Sequence, residues 1–377
     1  MLKSLISNSR RQLFLNLIIF NVVFSWADSF SLSVLKPHFL SQGLSIEQMI
    51  LGTLFSFISA CLFLLVFKQI SARLSWRLSF VAAFGYILLI VRVTNINQFY
   101  LASVISGLVV PLFYVAYNIA HFKLTPQHRT GFSSGIMFSI FPIVGLIAPL
   151  AAGWLAEVNY LYIWVLSGIF FAITFFLTKF QTDFSINYNL ISGFQAIKAT
   201  RIFLLLQGIW ETLAFGIIPI FSLHFISSPL YYGTYMAYLS LMSVIANLVL
   251  GHLSDKLQKR LVFLYPVTIL MALATFAFPL VTTKLVFWLI LTGIIQFLCP
   301  LFWNFSTSYF IDIHPNVLLT MPIRELVLNV GRVLGFIVLA INFKLQTAPT
   351  YIFYFLGAVI LLYPAILFYN TRYVAKS

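Results

Sequence analysis

The chain has 377 residues, of which 61% are hydrophobic and only 8% are charged, and its formal net charge is +14. A soluble globular protein carries about 25% charged residues, so this composition excludes a water-facing surface and indicates an integral membrane protein. The cations lie at the ends of apolar runs rather than in one cluster, which excludes a nucleic-acid-binding face and indicates membrane topology. Cys61 and Cys299 both lie in apolar segments and cannot build a disulfide framework.

The apolar runs predict the membrane-spanning helices, each of which needs about 20 residues. Cutting the chain at polar residues, Gly and Pro predicts twelve spans, namely Gln12–His38, Leu44–Phe67, Arg77–Thr94, Gln98–Phe122, Gly131–Ala156, Asn159–Lys179, Ile202–Ile226, Tyr231–Leu253, Leu261–Val281, Lys284–Ile311, Leu319–Phe343 and Pro349–Asn370. Ser45 and Gln48 have the spacing of a capping box at the start of the second span. The first span is too long for the core of a cleaved signal peptide, so we expect it to be retained.

The distribution of Lys and Arg predicts the orientation of these spans. With the N-terminus inside, 17 of the 22 cations fall on the inner side, 4 fall on the outer side, and Arg332 lies within a span. By the positive-inside rule, this asymmetry predicts that both termini are cytoplasmic and favours an even number of spans. We therefore expect a multi-pass protein of a cell membrane, in the first instance the bacterial cytoplasmic membrane, surrounded by lipid.

The longest polar stretch divides the chain into two nearly equal parts. It predicts an N-terminal six-helix bundle over 1–179, a cytoplasmic linker over 180–201 and a C-terminal six-helix bundle over 202–377. Two interpretations of the linker remain open at this point. It is either an amphipathic segment on the inner membrane face or a flexible connection.

The two parts show traces of an internal repeat. One sequence offset aligns two basic residues and one acidic residue of the first part with similar residues of the second, namely Arg73 with Lys256, Arg77 with Arg260 and Asp28 with Glu211. Parallel halves related by an axis along the membrane normal are one known architecture of secondary transporters. The repeat therefore favours two pseudo-symmetric bundles.

A short basic loop after the eighth span carries the most specific motif of the chain. It has a glycine, an aspartate and three cations in a fixed spacing: Gly251, Asp255, Lys256, Lys259 and Arg260. This pattern resembles the signature loop of the major facilitator superfamily, a large family of secondary transporters. The resemblance implies twelve transmembrane helices in two six-helix bundles, with this loop as a cytoplasmic gating element. The first-half copy departs from the pattern, because Lys68 and Ala72 stand where the motif has glycine and aspartate.

Three ionisable residues stand out inside the predicted spans: Asp28, Glu211 and Arg332. Such residues are costly in lipid and mark functional sites by default. Because burial raises and a nearby arginine lowers the pKa of a carboxylate, an acid between these influences can bind and release a proton as its surroundings change. We expect these residues to act in proton coupling or substrate binding, with Glu211 near Arg332. A buried ion pair that only fixes helix packing is the alternative, and Arg332 could also bind an anionic substrate group.

Other polar side chains share helix faces with these residues. Asn21 precedes Asp28, and Asn329 precedes Arg332, at helical spacing. The resemblance implies that the first, fourth, seventh and tenth spans line a central cavity, with the eleventh packed beside the seventh. The residues expected to line it are Asn21, Tyr114, Asn118, Gln207, Gln296, Trp303 and Asn329.

Together these features favour a secondary active transporter that moves a small molecule by alternating access, coupled to protons and acting as a monomer. Small residues of the fifth span, including Gly145 and Gly153, resemble an exporter motif, although ordinary close packing explains them equally well. A non-transporting membrane sensor or assembly protein, and a channel, are the alternatives. The sequence shows no phosphate loop, metal-ligand spacing or nucleophile–base pair, so we expect no cofactor, no metal and no enzymatic activity.

Overall fold

The computed structural model of the chain describes residues 8–125, 130–254, 260–345 and 350–374. The first half of this part contains eight helices: α1 (Asn8–Ser33), α2 (Leu35–Ser41), α3 (Ile46–Val66), α4 (Ala72–Ile90), α5 (Ile96–Leu124), α6 (Thr130–Val144), α7 (Ala148–Val158) and α8 (Tyr160–Leu177). The linker contains α9 (Leu190–Ala196), and the second half contains α10 (Arg201–Trp210), α11 (Ile218–Phe221), α12 (Pro229–Ser254), α13 (Arg260–Ala277), α14 (Leu285–Ile313), α15 (Val317–Lys344) and α16 (Thr350–Val374). Two short strands, β1 (Gln69–Ser71) in the first half and β2 (Ser185–Asn187) in the linker, pair with each other.

In the described part of the chain, eleven helical segments are long and apolar enough to cross a membrane. The α12 helix is not among them, but its 26 residues correspond to about 39 Å at 1.5 Å per residue, which exceeds the thickness of a bilayer core. It occupies the place of the predicted eighth span. The prediction of an all-α integral membrane protein is confirmed, and twelve spans are compatible with this set of helices.

Three of the predicted spans are irregular; the seventh is described with the site below, and the other two are broken between two α-helices. The first is interrupted at Val34, between α1 and α2, and the fifth between α6 and α7. Each break lies three or four residues before a proline, Pro37 or Pro149, whose missing N–H cannot bond to the carbonyl one turn earlier. The predicted capping box at the start of α3 is confirmed, since Ser45 Oγ accepts from the Gln48 N–H at 3.2 Å and Gln48 Oε1 accepts from the Ser45 N–H at 2.8 Å.

Within each half the helices pack on one another, and the two halves also share extensive contacts: α3 and α5 lie along α15, and α6 and α7 lie along α12, with α6 also against α14. We call the end of the molecule at which α1 begins the termini end, and the opposite end the far end. At the far end, the Glu157 carboxylate accepts hydrogen bonds from the Ser228 hydroxyl at 2.7 Å and the Leu230 N–H at 3.3 Å. At the termini end, the Thr130 hydroxyl donates to Asp312 at 2.9 Å. The halves therefore touch at both ends.

Two glycines bring the halves into backbone contact near the far end. A Cβ atom on Gly153 of α7 would lie 2.8 Å from the carbonyl oxygen of Pro229, and a Cβ atom on Gly233 of α12 would collide with the carbonyl oxygen of Pro149. No side chain fits at either position without separating the helices. The small residues of the fifth span thus form part of the contact between the halves.

The segment between the halves is folded against protein at the termini end. Strand β2 pairs antiparallel with β1, with Ile186 opposite Ile70, and the Tyr188 hydroxyl donates to the carbonyl of Leu64 at 2.6 Å. Burial raises the pKa of Tyr188 to about 12, so its hydroxyl keeps the proton that it donates at neutral pH. Helix α9 packs on α15 in the second half. The linker is therefore not the flexible connection that the sequence left open.

The linker also supplies an acid to the first-half loop that departs from the signature motif. Helix α4 begins at Ala72, where the motif has its aspartate. The carboxylate of Asp183 accepts from the Arg73 N–H at 3.0 Å, and the carbonyl of Phe184 accepts from the Ala72 N–H at 2.8 Å. A carboxylate at a helix N-terminus satisfies an otherwise unpaired N–H and is favoured by the helix dipole.

Replacing Asp183 with Ala is expected to loosen the linker from this loop. Loss of a capping acceptor costs about 1 kcal/mol, which corresponds to about a fivefold rise in the population of the open linker. Limited trypsin cleavage at the exposed Lys179 and Lys198 should quicken by that factor. The control is Asp183→Asn, which keeps an acceptor oxygen and should be cleaved almost as slowly as the wild type. Equal cleavage of the Asp183→Ala variant and the wild type would show that the contact has no effect.

Candidate functional site

The helix that carries Glu211 is irregular at that residue. Helix α10 ends at Trp210, and a π-helical turn over Leu213–Ile217 separates it from α11. Pro219 follows this turn and has no N–H to donate to the carbonyl of residue 215, which favours the wider turn. Single π-helical turns inside α-helices are frequent at functional sites, because the extra residue re-aims the side chains beside it.

Two glycines bring this segment against α15. A Cβ atom on Gly208 would collide with the carbonyl oxygen of Leu328, and a Cβ atom on Gly331 would lie 2.9 Å from the Cα atom of Gly208. The two backbones are therefore in direct contact at this level. Glu211 lies three residues after Gly208, and Arg332 directly follows Gly331. The contact of the two backbones therefore places Glu211 and Arg332 side by side.

Glu211 and Arg332 form a buried ion pair with every carboxylate oxygen bonded. Arg332 donates to Glu211 Oε2 from Nε at 2.7 Å and from Nη2 at 2.6 Å. The other oxygen, Oε1, accepts from Gln207 Nε2 at 2.8 Å and from the Trp303 indole N–H at 2.9 Å. Glu211 is only 1% exposed and Arg332 8% exposed. The four contacts hold the carboxylate in one position, and the guanidinium of Arg332 neutralises its charge.

The guanidinium of Arg332 also reaches the first half of the molecule. Its Nη1 atom donates to Asn329 Oδ1 at 3.0 Å. Its centre lies 5.5 Å from the ring of Phe57 on α3 and 5.2 Å from the ring of Phe215, distances at which cation–π attraction operates. Phe215 in turn stacks parallel to Trp303. The ion pair therefore lies at the boundary between the halves, in contact with an aromatic residue of the first.

A cavity of about 220 Å³ lies beside this network, mainly within the first half. Its polar lining comes from one acid, one base, six hydroxyls and one amide: Asp28, Lys36, Ser31, Thr53, Ser56, Tyr86, Ser103, Ser106 and Asn329. Among the described residues, the Asp28 carboxylate makes no ion pair and no side-chain hydrogen bond. Asn329 lines this cavity and also holds Arg332, so it connects the space around Asp28 with the ion pair.

The structure brings together some of the residues singled out in the sequence and separates others. Gln207, Trp303 and Asn329 all bond directly to the ion pair. Gln296 instead donates to Ser243 Oγ at 3.1 Å within the second half. The remaining three lie among the first-half helices and do not line the 220 Å³ cavity: Asn21, Tyr114 and Asn118.

The signature-like loop is only partly within the described residues. Gly251 lies in the last turn of α12, and Arg260 begins α13. Asp255, Lys256 and Lys259 lie outside the described residues, so the gating role of this loop stays a prediction. Near the start of α15, helix α9 of the linker packs closely, with its Gly193 directly against Ile323.

Sequence reasoning missed two residues of the site. Lys36 is one of the four outer-side cations, and it lies beyond the break at Val34, so helical spacing from Asp28 did not place it at the cavity. Phe57 carried no signal, because an aromatic residue in an apolar span is expected to face lipid or core. Among the described residues, no group of three or more His, Cys, Asp or Glu side chains is arranged to hold a metal ion.

No protein-family sequence model matches the chain, and no curated protein sequence matches it. Solved structures do match it. A bacterial homologue of the iron transporter ferroportin, in an outward-facing state with soaked iron, superposes with a TM-score of 0.72 over 95% of this chain and 99% of that chain, at 12% identity. The human organic anion transporter MFSD10 (TETRAN) superposes with a TM-score of 0.69 over 96% of this chain and 100% of that chain, at 11% identity. Such low identities establish the fold alone, and the chain therefore has the fold of the major facilitator superfamily.

Proposed function

We propose that the chain is a secondary active transporter, which moves a small solute across a membrane by alternating access, is coupled to protons and favours export. The observation that carries this proposal is the buried Glu211–Arg332 pair, which lies against Phe57 of the opposite half. A buried ion pair is weak evidence for stability, because apolar packing in its place is often equally stable. Charges kept inside a lipid-surrounded bundle therefore favour function over packing.

The structural neighbours support a transporter but do not name the solute. One is described as a homologue of an iron transporter and the other as an organic anion transporter. The cavity of this chain combines one acid with one lysine and several hydroxyls, which is a poor ligand set for a transition-metal ion. We therefore carry over transport and alternating access from the neighbours, and not their substrates.

Alternating access requires that the contacts at the two ends break in turn. At the far end the bonds to break are those from Ser228 and Leu230 to Glu157, together with the glycine contact of α7 with α12. At the termini end they include the bond from Thr130 to Asp312. The polar bonds at each end are few, so breaking them costs little, whereas the packing of α6 and α7 on α12 must be exchanged for other contacts as the halves move. The bundles 1–179 and 202–377 would then rock about the central site, with 180–201 as their connection.

Proton binding at Glu211 would change the contact of α10 with α15. A protonated carboxyl group loses the charge that pairs with Arg332, so the guanidinium is left to Asn329, Phe57 and Phe215. Freed in this way, Arg332 can follow the first half as the halves move. Asp28, which lacks an ion-pair partner among the described residues, is the second proton acceptor in this proposal.

The contacts of Arg332 favour one of its two expected roles. All three of its guanidinium nitrogens are used, two by Glu211 and one by Asn329. In this conformation the arginine neutralises the acid rather than binding an anionic group of the solute.

We further propose that the protein is a monomer in a bacterial cytoplasmic membrane with both termini cytoplasmic, and that Gly251, Asp255, Lys256, Lys259 and Arg260 form a gating loop. The export direction rests only on the resemblance of the small residues of the fifth span to an exporter motif.

The test is solute flux in proteoliposomes under an imposed proton gradient, with a solute found by a thermal-shift ligand screen. The wild type should accumulate the solute against its gradient, whereas Asp28→Asn and Glu211→Gln should each accumulate at least tenfold less, and Glu211→Gln should still exchange solute. The control is Glu47→Gln, which removes an exposed carboxylate at the start of α3.

Wild-type accumulation by both variants would contradict proton coupling through these residues. The alternative function, a non-transporting sensor or assembly protein on a transporter fold, predicts that a solute binds without any flux in the wild type. A channel, by contrast, would conduct solute continuously, without exchanging it for solute on the other side of the membrane.

A further inference from the structure

The 220 Å³ cavity carries two opposite charges at separate positions. Asp28 and Lys36 are its only acidic and basic lining residues in the described part of the chain. They are eight residues apart in the chain, on either side of the break at Val34, with Lys36 nearer the far end. No ion pair forms between them or with another described residue. The cavity thus presents the Asp28 carboxylate towards the termini end and the Lys36 ammonium group towards the far end.

The nearby arginine does not change this balance. Arg332 reaches the cavity only through Asn329, and its charge is matched by Glu211. A ligand with a single charge would match either Asp28 or Lys36 and leave the other in a low-dielectric space without a counter-charge. Because an unpaired buried charge is costly, the cavity favours a ligand that supplies both charges.

The walls between the charges suit a short apolar chain with a polar end. Phe39, Phe57, Phe99 and Phe171 line the space. The Ser31 hydroxyl donates to the backbone carbonyls of residues 27 and 28, and the Thr53 hydroxyl donates to that of residue 49. Since these hydroxyls spend their protons on the helices, their oxygens remain as acceptors for an ammonium group. The volume is below the 300 Å³ or so of sites for drug-sized ligands.

We propose that this cavity binds a small zwitterion, with a cationic amine at Asp28, a carboxylate at Lys36 and a short aliphatic chain between the aromatic rings. This inference deepens the proposed transport function and rests on it for the identity of the cargo. Binding, however, can be measured without transport. The ligand class is therefore testable separately from the coupling mechanism.

The test uses three matched probes on the purified full chain: 6-aminohexanoate, hexylamine and hexanoate, with binding measured by calorimetry. The wild type should bind the zwitterion at least tenfold more tightly than either single-charge probe, a comparison that needs no variant. Lys36→Met should lose this advantage and bind hexylamine as tightly as the zwitterion. Asp28→Asn should reverse the preference in favour of hexanoate. The control is Lys344→Met, which removes an exposed lysine at the end of α15.

Equal binding of the three probes by the wild type, or no binding of ω-amino acids of four to eight carbons, would overturn the inference. An unchanged preference in a folded Lys36→Met variant would also overturn it. Tight zwitterion binding without flux under any gradient would refute the proposed transport and leave the binding site intact. Proton-driven flux of another solute, with no zwitterion binding, would refute only the ligand class.

Discussion

Replacement of Arg332 with Met is expected to destabilise the protein by about 3–5 kcal/mol, because it leaves the Glu211 carboxylate buried without its counter-charge. Glu211 is 1% exposed, so water cannot replace the guanidinium. Glu211→Gln should be costly for the same reason, since it leaves Arg332 unpaired. The measurement is the free energy of unfolding of each purified variant, followed in mixed detergent micelles.

The double variant Glu211→Gln/Arg332→Met separates packing from function. It buries no unpaired charge, so most of the lost stability should return, as with other buried pairs replaced together by neutral side chains. Gradient-driven transport should nevertheless stay at least tenfold below that of the wild type, because no proton acceptor remains at this site. Arg92→Met, which removes an exposed arginine from a loop, is the control and should change neither property.

These results would distinguish the two interpretations of the ion pair. If the pair only fixes the packing of α10 against α15, transport should recover together with stability in the double variant. A double variant that is no more stable than either single one would show that the two charges do not act as a pair.

Replacement of Gly233 with Leu is expected to hold the far end of the molecule open. The new side chain would collide with the carbonyl oxygen of Pro149, and Gly153 on the opposite helix leaves no other room. Because backbone cannot yield as a flexible side chain does, α12 and α7 must separate. The bonds from Ser228 and Leu230 to Glu157 would then break with them.

The measurement is labelling of a Thr53→Cys reporter in the cavity by a membrane-impermeant maleimide added at the far end. Labelling should be at least tenfold faster with Gly233→Leu than without it, and transport should fall because the closed state is blocked. The two native cysteines, Cys61 and Cys299, are buried and should give little background. Gly85→Leu is the matched control, since a Cβ atom there would meet only Ile105 at an ordinary 3.8 Å. Unchanged labelling would contradict the assigned role of the glycine contact.

Much of the fold could be predicted because lipid imposes simple rules on a sequence. The spans follow from apolar length and the start of α3 from its capping box, both of which are local properties. Asp28, Glu211 and Arg332 could be singled out since ionisable residues within spans are rare and costly. Their neighbours Gln207 and Asn329 share helix faces with them, so helical spacing was sufficient to find these two.

The rest depends on contacts between distant segments, which local patterns do not encode. Phe57 belongs to the site only because α3 lies against α15. Asp183 caps α4 from 110 residues away, and no spacing rule connects a linker acid with a loop of the first half. The breaks at Val34 and before Pro149 follow from prolines within long apolar runs, which tolerate either a kink or a continuous helix.

Alternating access itself is tested most directly by distances between spin labels on opposite halves. They are measured at both ends of the molecule in lipid nanodiscs, at neutral pH and at low pH. The exposed Val158 and Tyr231 report on the far end, and Lys123 and Ile313 report on the termini end. We expect that lowering the pH lengthens the distance at one end and leaves the other end closed. The Glu211→Gln/Arg332→Met variant should not show the opposite pattern. Two distances that stay fixed at every pH, or that lengthen together, would contradict it.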